Sequence, residues 1–161
     1  MHYAMAVIAL ASSTSVAQPP VWRLAATSRV STPSDYYAAT FVDTASIRRT
    51  GDQVAYRSLS VWGAGISSGD NARREMAANC RDHGYRALHT SFYKGSAAVE
   101  NGAAEPAGQA APESARYVEI DAVCGTGRWL TRQIRDPYAW SGSAFQTLRR
   151  GGYWPLELDQ R

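Results

Sequence analysis

The sequence predicts an α+β domain in which an antiparallel sheet of about six strands carries a short C-terminal helix packed on it. Segments whose side chains alternate between two faces are separated by glycine-containing turns, the pattern of β-hairpins. Near the C-terminus the apolar residues recur instead at the spacing of a helix. A chain of 161 residues, of which 45% are hydrophobic and 19% charged, is long enough for one domain with a buried core.

The first 17 residues predict a secretion signal. An apolar stretch over 3–11 is followed by small residues, and Ser15 and Ala17 supply the small-x-small site after which signal peptidase cuts. No Lys or Arg precedes the apolar stretch, so a buried N-terminal helix stays as the alternative. The stretch is too short for a transmembrane helix. We therefore expect a signal peptide over 1–17 and a single domain over 18–161.

Aromatic and β-branched residues predict a short strand over 21–26 and a longer one over 36–47, with a loop between them. Gly51 suits the positive φ of a hairpin turn. The partner strand spans 54–62, and neither of its faces is wholly polar, which indicates cover on both sides. Residues 63–70 are rich in glycine but lack the Gly-Lys-[Ser/Thr] ending of a phosphate loop, so they predict a plain connection.

A central hairpin is predicted with strands over 75–80 and 85–93 and a turn at 81–84. A second strand with a cysteine is predicted over 116–124, where apolar and polar residues alternate, and it returns over 129–134. The two segments form a weak repeat that places both cysteines at equivalent strand ends. The matched positions are Glu75 and Glu119, Ala78 and Ala122, Cys80 and Cys124, and Tyr85 and Trp129.

The segment between the two hairpins, over about 94–115, is rich in Ala, Gly, Glu and Pro, which predicts a long mobile loop. Residues 136–140 are expected to be irregular. A helix is predicted over 142–150, capped by Ser141 or Ser143, and Gly151 and Gly152 end it. Its apolar stripe consists of Ala144, Phe145 and Leu148.

The interpretation of the two cysteines depends on the compartment. In an exported chain an even number of cysteines favours a disulfide, here Cys80–Cys124. In the cytosol the same residues would be buried thiols. In the chain-entropy account, closing a loop of this length would stabilise the fold by roughly 3–4 kcal/mol.

The charge composition does not indicate nucleic-acid binding. The net charge is +3, and the positive charges form no long run. Of the 17 basic residues all but Lys94 are arginine. This excess fits bidentate recognition of carboxylate or phosphate groups. Codon usage in a GC-rich genome is the simpler explanation, and the many alanines agree with it.

No residue pattern predicts a catalytic or metal site. His83 and His89 have no cysteine or carboxylate at ligand spacing, and a Cys80–His89 nucleophile pair would compete with the disulfide. The serines lack the context of a nucleophile elbow. Glu119 and Asp121 would share a strand face, where surface ion pairs with arginines are the simpler explanation. We therefore expect no catalytic residue, no metal and no cofactor.

Tyrosine and arginine side chains on the strands form a candidate recognition surface, since Tyr, Trp and Arg are the usual anchors of binding sites. The residues are Tyr56, Arg57, Tyr85, Arg86 and Tyr93. The alternative is that most of the aromatic residues fill the core between sheet and helix.

Residues 42–54 resemble the signature segment of bacterial surface-adhesin protein E-like domains. The matching positions are Val42, Asp43, Ser46, Ile47, Arg48, Arg49, Gly51, Asp52 and Val54. Other positions also fit the family pattern: an opening Trp22, the combination of Cys80 with Tyr85 and Arg86, the strand-ending Tyr93, and the turn at 140–143. The resemblance covers most of residues 22–150.

The resemblance implies an exported protein of Gram-negative bacteria whose six-stranded antiparallel sheet is tied to a C-terminal helix by a disulfide. The best-known members of the family bind host extracellular-matrix proteins. The strand predicted over 116–124 departs from this pattern, because it places Cys124 in a strand and not in a helix.

Two functional hypotheses follow. The first is a non-enzymatic periplasmic, secreted or cell-surface protein that binds an envelope protein or a small ligand, with no nucleic-acid partner and no transmembrane segment. The second is a small secreted hydrolase. Polar groups that converge in a pocket with perturbed pKa values would favour the hydrolase. A flat face rich in Tyr and Arg would favour the binding protein.

Overall fold

The computed structural model describes residues 18–30, 36–63, 71–95, 97–102, 104 and 106–156. The predicted signal peptide over 1–17 lies outside these residues, as does most of the predicted connection over 63–70. Both stay predictions.

Eight antiparallel strands form one sheet in the part of the chain that the structure describes. They are β1 (Trp22–Val30), β2 (Tyr36–Thr50), β3 (Gln53–Gly63), β4 (Asn71–Asn79), β5 (Gly84–Lys94), β6 (Ala97–Gly102), β7 (Gly108–Gln109) and β8 (Gln133–Ile134). Their order in the sheet is β6-β5-β4-β3-β2-β1-β8, and β7 pairs with β5. Gly51 has a φ of 59° in the β2–β3 turn, as predicted. The antiparallel sheet is confirmed, but the expectation of about six strands is too low.

The additional strands lie mainly in the segment that was expected to be a mobile loop, over 94–115. β6 extends the sheet beyond β5, and β7 pairs with the first residues of β5. Alanine and glycine are poor strand formers, so pairing with β5 and not intrinsic propensity explains these strands. The return strand predicted over 129–134 is reduced to β8, which pairs with β1.

The largest correction concerns residues 116–124, which form helix α1 (Ala115–Cys124) and not a strand. Ser114 begins the helix, since its Oγ accepts the backbone N–H of Tyr117 at 3.2 Å. Gly125 ends it with a φ of 81°, in the left-handed region. The predicted repeat is therefore wrong, because Cys80 follows a strand whereas Cys124 ends a helix.

Helix α2 (Pro137–Arg149) is the predicted C-terminal helix with an earlier start. Its cap is Asp136, whose carboxylate accepts the N–H groups of Tyr138 and Ala139 at 2.9 and 3.1 Å. Proline suits the first turn of a helix because it has no N–H to leave unpaired. The predictions of a serine cap and of an irregular segment at 136–140 are therefore wrong.

The two helices cover opposite faces of the sheet. The α1 face packs Val42, Val54, Tyr56, Met76, Ala78 and Ala87 against Ile120 and Val123 of α1. The α2 face packs Leu24, Phe41, Leu59 and Val61 against Phe145 and the partly buried Leu148 of α2. The predicted apolar stripe is confirmed, since Ala144 and Phe145 are buried. Cover on both sides explains why neither face of β3 is wholly polar.

A disulfide between Cys80 and Cys124 joins the β4–β5 turn to the end of α1, with the two Cα atoms 5.5 Å apart. Beside it, His83 Nε2 lies 2.8 Å from Asp121 Oδ1, and the His83 ring stacks on Tyr117. The predicted pairing is confirmed. Cys124 lies in a helix and not in the predicted strand, so the bond ties a helix to the sheet. That helix is α1, however, and not the C-terminal helix α2 that the resemblance implies.

Candidate functional site

Part of the α2 face extends beyond α2, and the strand register shows which residues lie there. Trp22, Asp43, Arg57, Glu75 and His89 are direct neighbours on β1 to β5. Side chains of directly opposite residues stand about 5 Å apart on the same face of a sheet. These residues therefore form one line across the sheet, which we call the charged row.

The next row towards α2 changes from apolar to polar along its length. It runs through Leu24, Phe41, Leu59, Arg73 and Ser91. The apolar members are buried in the α2-face cluster, whereas Arg73 is exposed. Next to these residues lies a groove of about 350 Å³, which we call the open-face groove. Its lining includes Trp22, Arg57, Arg73, Glu75, His89 and Tyr138.

A buried carboxylate fixes Arg57 at the groove. Asp43 is fully buried, and its Oδ1 accepts the backbone N–H groups of Val21 at 2.8 Å and of Ala45 at 3.1 Å. Its Oδ2 accepts Arg57 Nη2 at 2.5 Å. The Arg57 side chain still keeps 53% of its surface exposed. One edge of the guanidinium is therefore held by the protein, while other N–H donors stay accessible at the groove.

Arg73 is positioned by β5 and α2 together. Its Nη2 donates to Tyr138 Oη at 3.1 Å, and its guanidinium lies over the ring of Tyr93, 4.7 Å from the centroid. Tyr138 Oη in turn donates to Oδ1 of the buried Asn71 at 3.2 Å. The first turn of α2 thus holds one wall of the groove.

Glu75 and His89 bring the remaining polar groups to the groove. Glu75 is exposed and lies between Arg57 and His89 in the charged row. Its carboxylate makes no ion pair or hydrogen bond with the residues that the structure describes. His89 Nε2 lies 3.0 Å from Ser91 Oγ. Because Ser91 is only 7% exposed, its hydroxyl is poorly placed to attack a substrate.

A second hollow of about 720 Å³ continues from the groove along the same face. Arg57 and Glu75 line both hollows, and Arg48 and the exposed Leu88 line only the second. Arg48 Nη1 donates to the carbonyl oxygens of Ala45 and Ile47, which anchors it to β2. The accessible part of the α2 face is therefore larger than the groove alone and carries further positive charge.

The structure divides the predicted recognition surface between the two faces. Tyr56 is 3% exposed in the core under α1. Tyr85 also belongs to the α1 face, where Arg116 lies over its ring. Arg57, the exposed Arg86 and the partly buried Tyr93 lie on the α2 face. Only these last three residues belong to the accessible part of the α2 face.

Sequence reasoning missed several residues of the groove. Arg73 and Glu75 alternate with Met76 and Ala78 in β4, so their position opposite the core face could have been found from that alternation. Tyr138 was missed because its segment was expected to be irregular.

A second polar cluster lies under α1, but it is buried. Glu119 Oε2 lies 2.6 Å from Arg116 Nη1, in contrast to the surface ion pairs predicted for a strand. Burial raises the pKa of Glu119, and the nearby Arg116 opposes this rise. Burial and the Glu119 carboxylate raise the pKa of the Tyr56 hydroxyl. Tyr56 and Ser58 lie close enough to lower the pKa of Glu119, although their hydroxyls do not meet hydrogen-bond geometry with described residues.

Neither a metal cluster nor a membrane span is found in the part of the chain that the structure describes. Its His, Cys, Asp and Glu residues form no group of three or more that could hold a metal ion. None of the helices in this part of the chain is long enough and apolar enough to cross a membrane.

Comparison with known families gave a match that covers much of the sheet and helix α1. The sequence model described as surface-adhesin protein E matches residues 28–125, more than half of the chain. The matched region includes Arg57, Arg73, Glu75 and His89 of the groove and both cysteines. Comparisons with curated proteins and with solved structures gave no match. The chain belongs to the surface-adhesin protein E family.

Proposed function

We propose that this chain is an exported, non-enzymatic binding module of the Gram-negative cell envelope or cell surface. Its binding surface is the accessible part of the α2 face, centred on the open-face groove. The charged row and the row next to it carry this proposal, because they place Arg57 and Arg73 on an accessible sheet face in a member of an adhesin family. Both arginines are fixed by neighbouring side chains. The disulfide supports export, since such bonds persist mainly in oxidising compartments.

The charge of this face favours an anionic partner. Arg48, Arg57, Arg73 and Arg86 are exposed there, and Glu75 is the exposed carboxylate among them in the described sheet. Arginine presents a planar fork of N–H donors that matches carboxylate, sulfate and phosphate groups. Positioned arginines of this kind provide orientation as well as attraction.

The groove supports binding better than hydrolysis. The contact between His89 and Ser91 has the distance of a base–hydroxyl pair. A nucleophile must also reach its substrate and have a base that a third group orients. Ser91 is buried, and Glu75 makes no hydrogen bond to His89.

Export is tested by the intact mass of the chain expressed with its own N-terminus in a Gram-negative host. We expect loss of residues 1–17 and two cysteines that are protected from alkylation until a reductant is added. A full-length chain with two free thiols would contradict export.

Adhesion is tested with beads that carry the mature protein, applied to epithelial cells and to a panel of extracellular-matrix proteins and glycans. Arg73→Glu should abolish most of the attachment, because it reverses a charge at the centre of the surface. Arg128→Glu is the matched control, since Arg128 is also exposed and lies outside this face, beyond α1. Equal attachment of the two variants would show that the α2 face is not the binding surface.

A further inference from the structure

We propose that the open-face groove binds a sugar residue that carries a carboxylate, such as a uronic or sialic acid within a glycan. This inference rests on the proposed function, because it takes the groove as the centre of the binding surface. It adds the chemical class of the ligand.

The dimensions of the groove fit one or two sugar rings. Its volume is about 350 Å³, near the lower end of the usual range for small-molecule sites. Trp22 and Tyr138 contribute aromatic surface to its lining, on which the C–H groups of a pyranose ring can pack. Tyr138 is held by its hydrogen bonds with Arg73 and Asn71, so this part of the wall is fixed before a ligand arrives.

Two arginines are placed to hold a carboxylate together. Arg57 lies directly opposite Glu75 in the register of β3 and β4. Arg73 precedes Glu75 by two residues on the same face of β4, so it is the diagonal neighbour of Arg57. Such diagonal neighbours lie about 7–8 Å apart, within reach of long side chains. Asp43 fixes one guanidinium and Tyr138 the other. A carboxylate between them would therefore meet donors whose orientation is already set.

Glu75 distinguishes a sugar from an acidic peptide. Its carboxylate, which pairs with none of the residues that the structure describes, lies beside Arg57 and His89 in the charged row. A run of aspartate or glutamate side chains would meet repulsion there. Sugar hydroxyls can instead donate hydrogen bonds to the carboxylate while the ligand's own carboxylate lies on the arginines. The mixture of the fixed arginine donors with the Glu75 acceptor thus favours a hydroxylated ligand of low charge.

The test is a titration of the mature, disulfide-bonded protein followed by NMR. The probes are a disaccharide ending in glucuronic acid, the same disaccharide with that carboxylate converted to an amide, a sialylated trisaccharide and a glutamate-rich peptide. We expect at least one carboxylated sugar to bind, and the amide to bind at least tenfold more weakly than the glucuronide if the latter binds. The peptide should bind more weakly than either acidic sugar that binds.

Variants assign that binding to the groove. Arg73→Gln should lower the affinity for the acidic sugar at least tenfold. The affinity of Arg73→Lys should lie between those of Arg73→Gln and the wild type, because lysine keeps the charge but lacks the planar fork of N–H donors. Glu75→Gln should lower the affinity for the acidic sugar and raise the affinity for the glutamate-rich peptide. Arg128→Gln should change neither. Amide chemical shifts away from β4 show that each variant is folded.

Three results would overturn the inference: no binding of either acidic sugar, equal affinity of acid and amide, or tighter binding of the peptide. If one of these occurs while Arg73→Glu still abolishes attachment to cells, the proposed function stands and only the ligand class is wrong. If attachment to cells is unaffected by Arg73→Glu, the proposed function itself fails, regardless of the affinities measured for the sugars.

Discussion

Glu119 is a buried carboxylate whose environment could not be read from its neighbours in the sequence. It is 2% exposed, with Arg116 as its partner. Burial raises the pKa of Glu119, and Arg116 offsets this effect only in part. The ionised carboxylate is therefore less favourable in the folded chain than in the unfolded chain, where water solvates it.

Replacing Glu119 by Gln keeps the shape of the side chain and removes its ionisation. Because the folded-state pKa is the higher one, the cost of the ionised form is present at pH 7 and is lost as the pH falls through that pKa. We expect Glu119→Gln to raise the free energy of unfolding at pH 7, and its advantage over the wild type to vanish in acid. Urea unfolding across this pH range measures both effects.

Arg116→Met is the contrasting variant. Removing one partner of a fully buried ion pair leaves the other charge buried without a counterion and lowers the free energy of unfolding by roughly 3–5 kcal/mol. A smaller loss is expected here, because the Arg116 side chain is 20% exposed. The variant should lose stability at pH 7 and regain more of it on acidification than the wild type does. A Glu119→Gln protein less stable than the wild type at pH 7 would show that the fold stabilises the carboxylate.

Helix α1 shows why a short segment can be assigned wrongly from its pattern. Val118, Ile120, Ala122 and Cys124 alternate as in a strand, and periodicity alone does not decide so short a run. The signals for a helix lie at its ends, with Ser114 before it and Gly125 after it. Packing of α1 on the sheet then buries both polar and apolar residues, including Glu119.

The hairpins and turns of the sheet could be predicted, but the faces that the helices cover could not. Tyr56 and Arg57 are adjacent in the sequence, and alternation correctly separates them to opposite faces. Nothing in the strand says that α1 buries Tyr56 while Arg57 stays accessible. The register adds Glu75 and His89 to Arg57, and it becomes known only when three strands are aligned.

The packing of α2 on β3 depends on a glycine. A Cβ at Gly63 would lie 2.5 Å from Cδ2 of Phe145. That ring cannot easily withdraw, because it packs against Tyr37 and Trp154. Overpacking of this kind costs about 1–3 kcal/mol, so Gly63→Ala should lower the free energy of unfolding by this amount in urea titrations.

Gly142 in α2 provides the matched control. A Cβ there would meet nothing within 4 Å, and alanine is the better helix former by about 0.5–1 kcal/mol. Gly142→Ala should therefore stabilise the protein in the same titration. A destabilising effect at Gly142, or none at Gly63, would contradict this packing of α2.

The cap of α2 connects helix stability to the groove. Asp136 accepts two N–H groups of the first turn, including that of Tyr138, and Tyr138 holds Arg73. Asp136→Ala should cost about 1 kcal/mol of stability and also weaken ligand binding, whereas Asp136→Asn should largely preserve both. Unfolding and titration of the two variants measure this. Unchanged binding in Asp136→Ala would show that the cap does not position the groove.

The sheet separates the stabilising contacts of α1 from the accessible binding surface. The disulfide, the His83–Asp121 contact and the Glu119–Arg116 pair all lie on the α1 side or at its edge. The charged row and the open-face groove lie on the other face. Contributions from sites without shared partners usually add independently, so stability and binding should respond to different substitutions.

The pair Cys80→Ser/Cys124→Ser and the variant Arg73→Gln test this separation. Opening the loop, whose ends are 44 residues apart, should cost about 4 kcal/mol of stability but leave the affinity of the folded protein for the acidic sugar unchanged. Arg73→Gln should abolish most of that affinity and change stability by only about 0.5 kcal/mol, as is usual for an exposed side chain. Urea unfolding and sugar titration of both proteins give the four values. If loss of the disulfide weakened binding in the folded protein, the two faces would be coupled through the sheet, and α1 would have to be counted among the elements that position the groove.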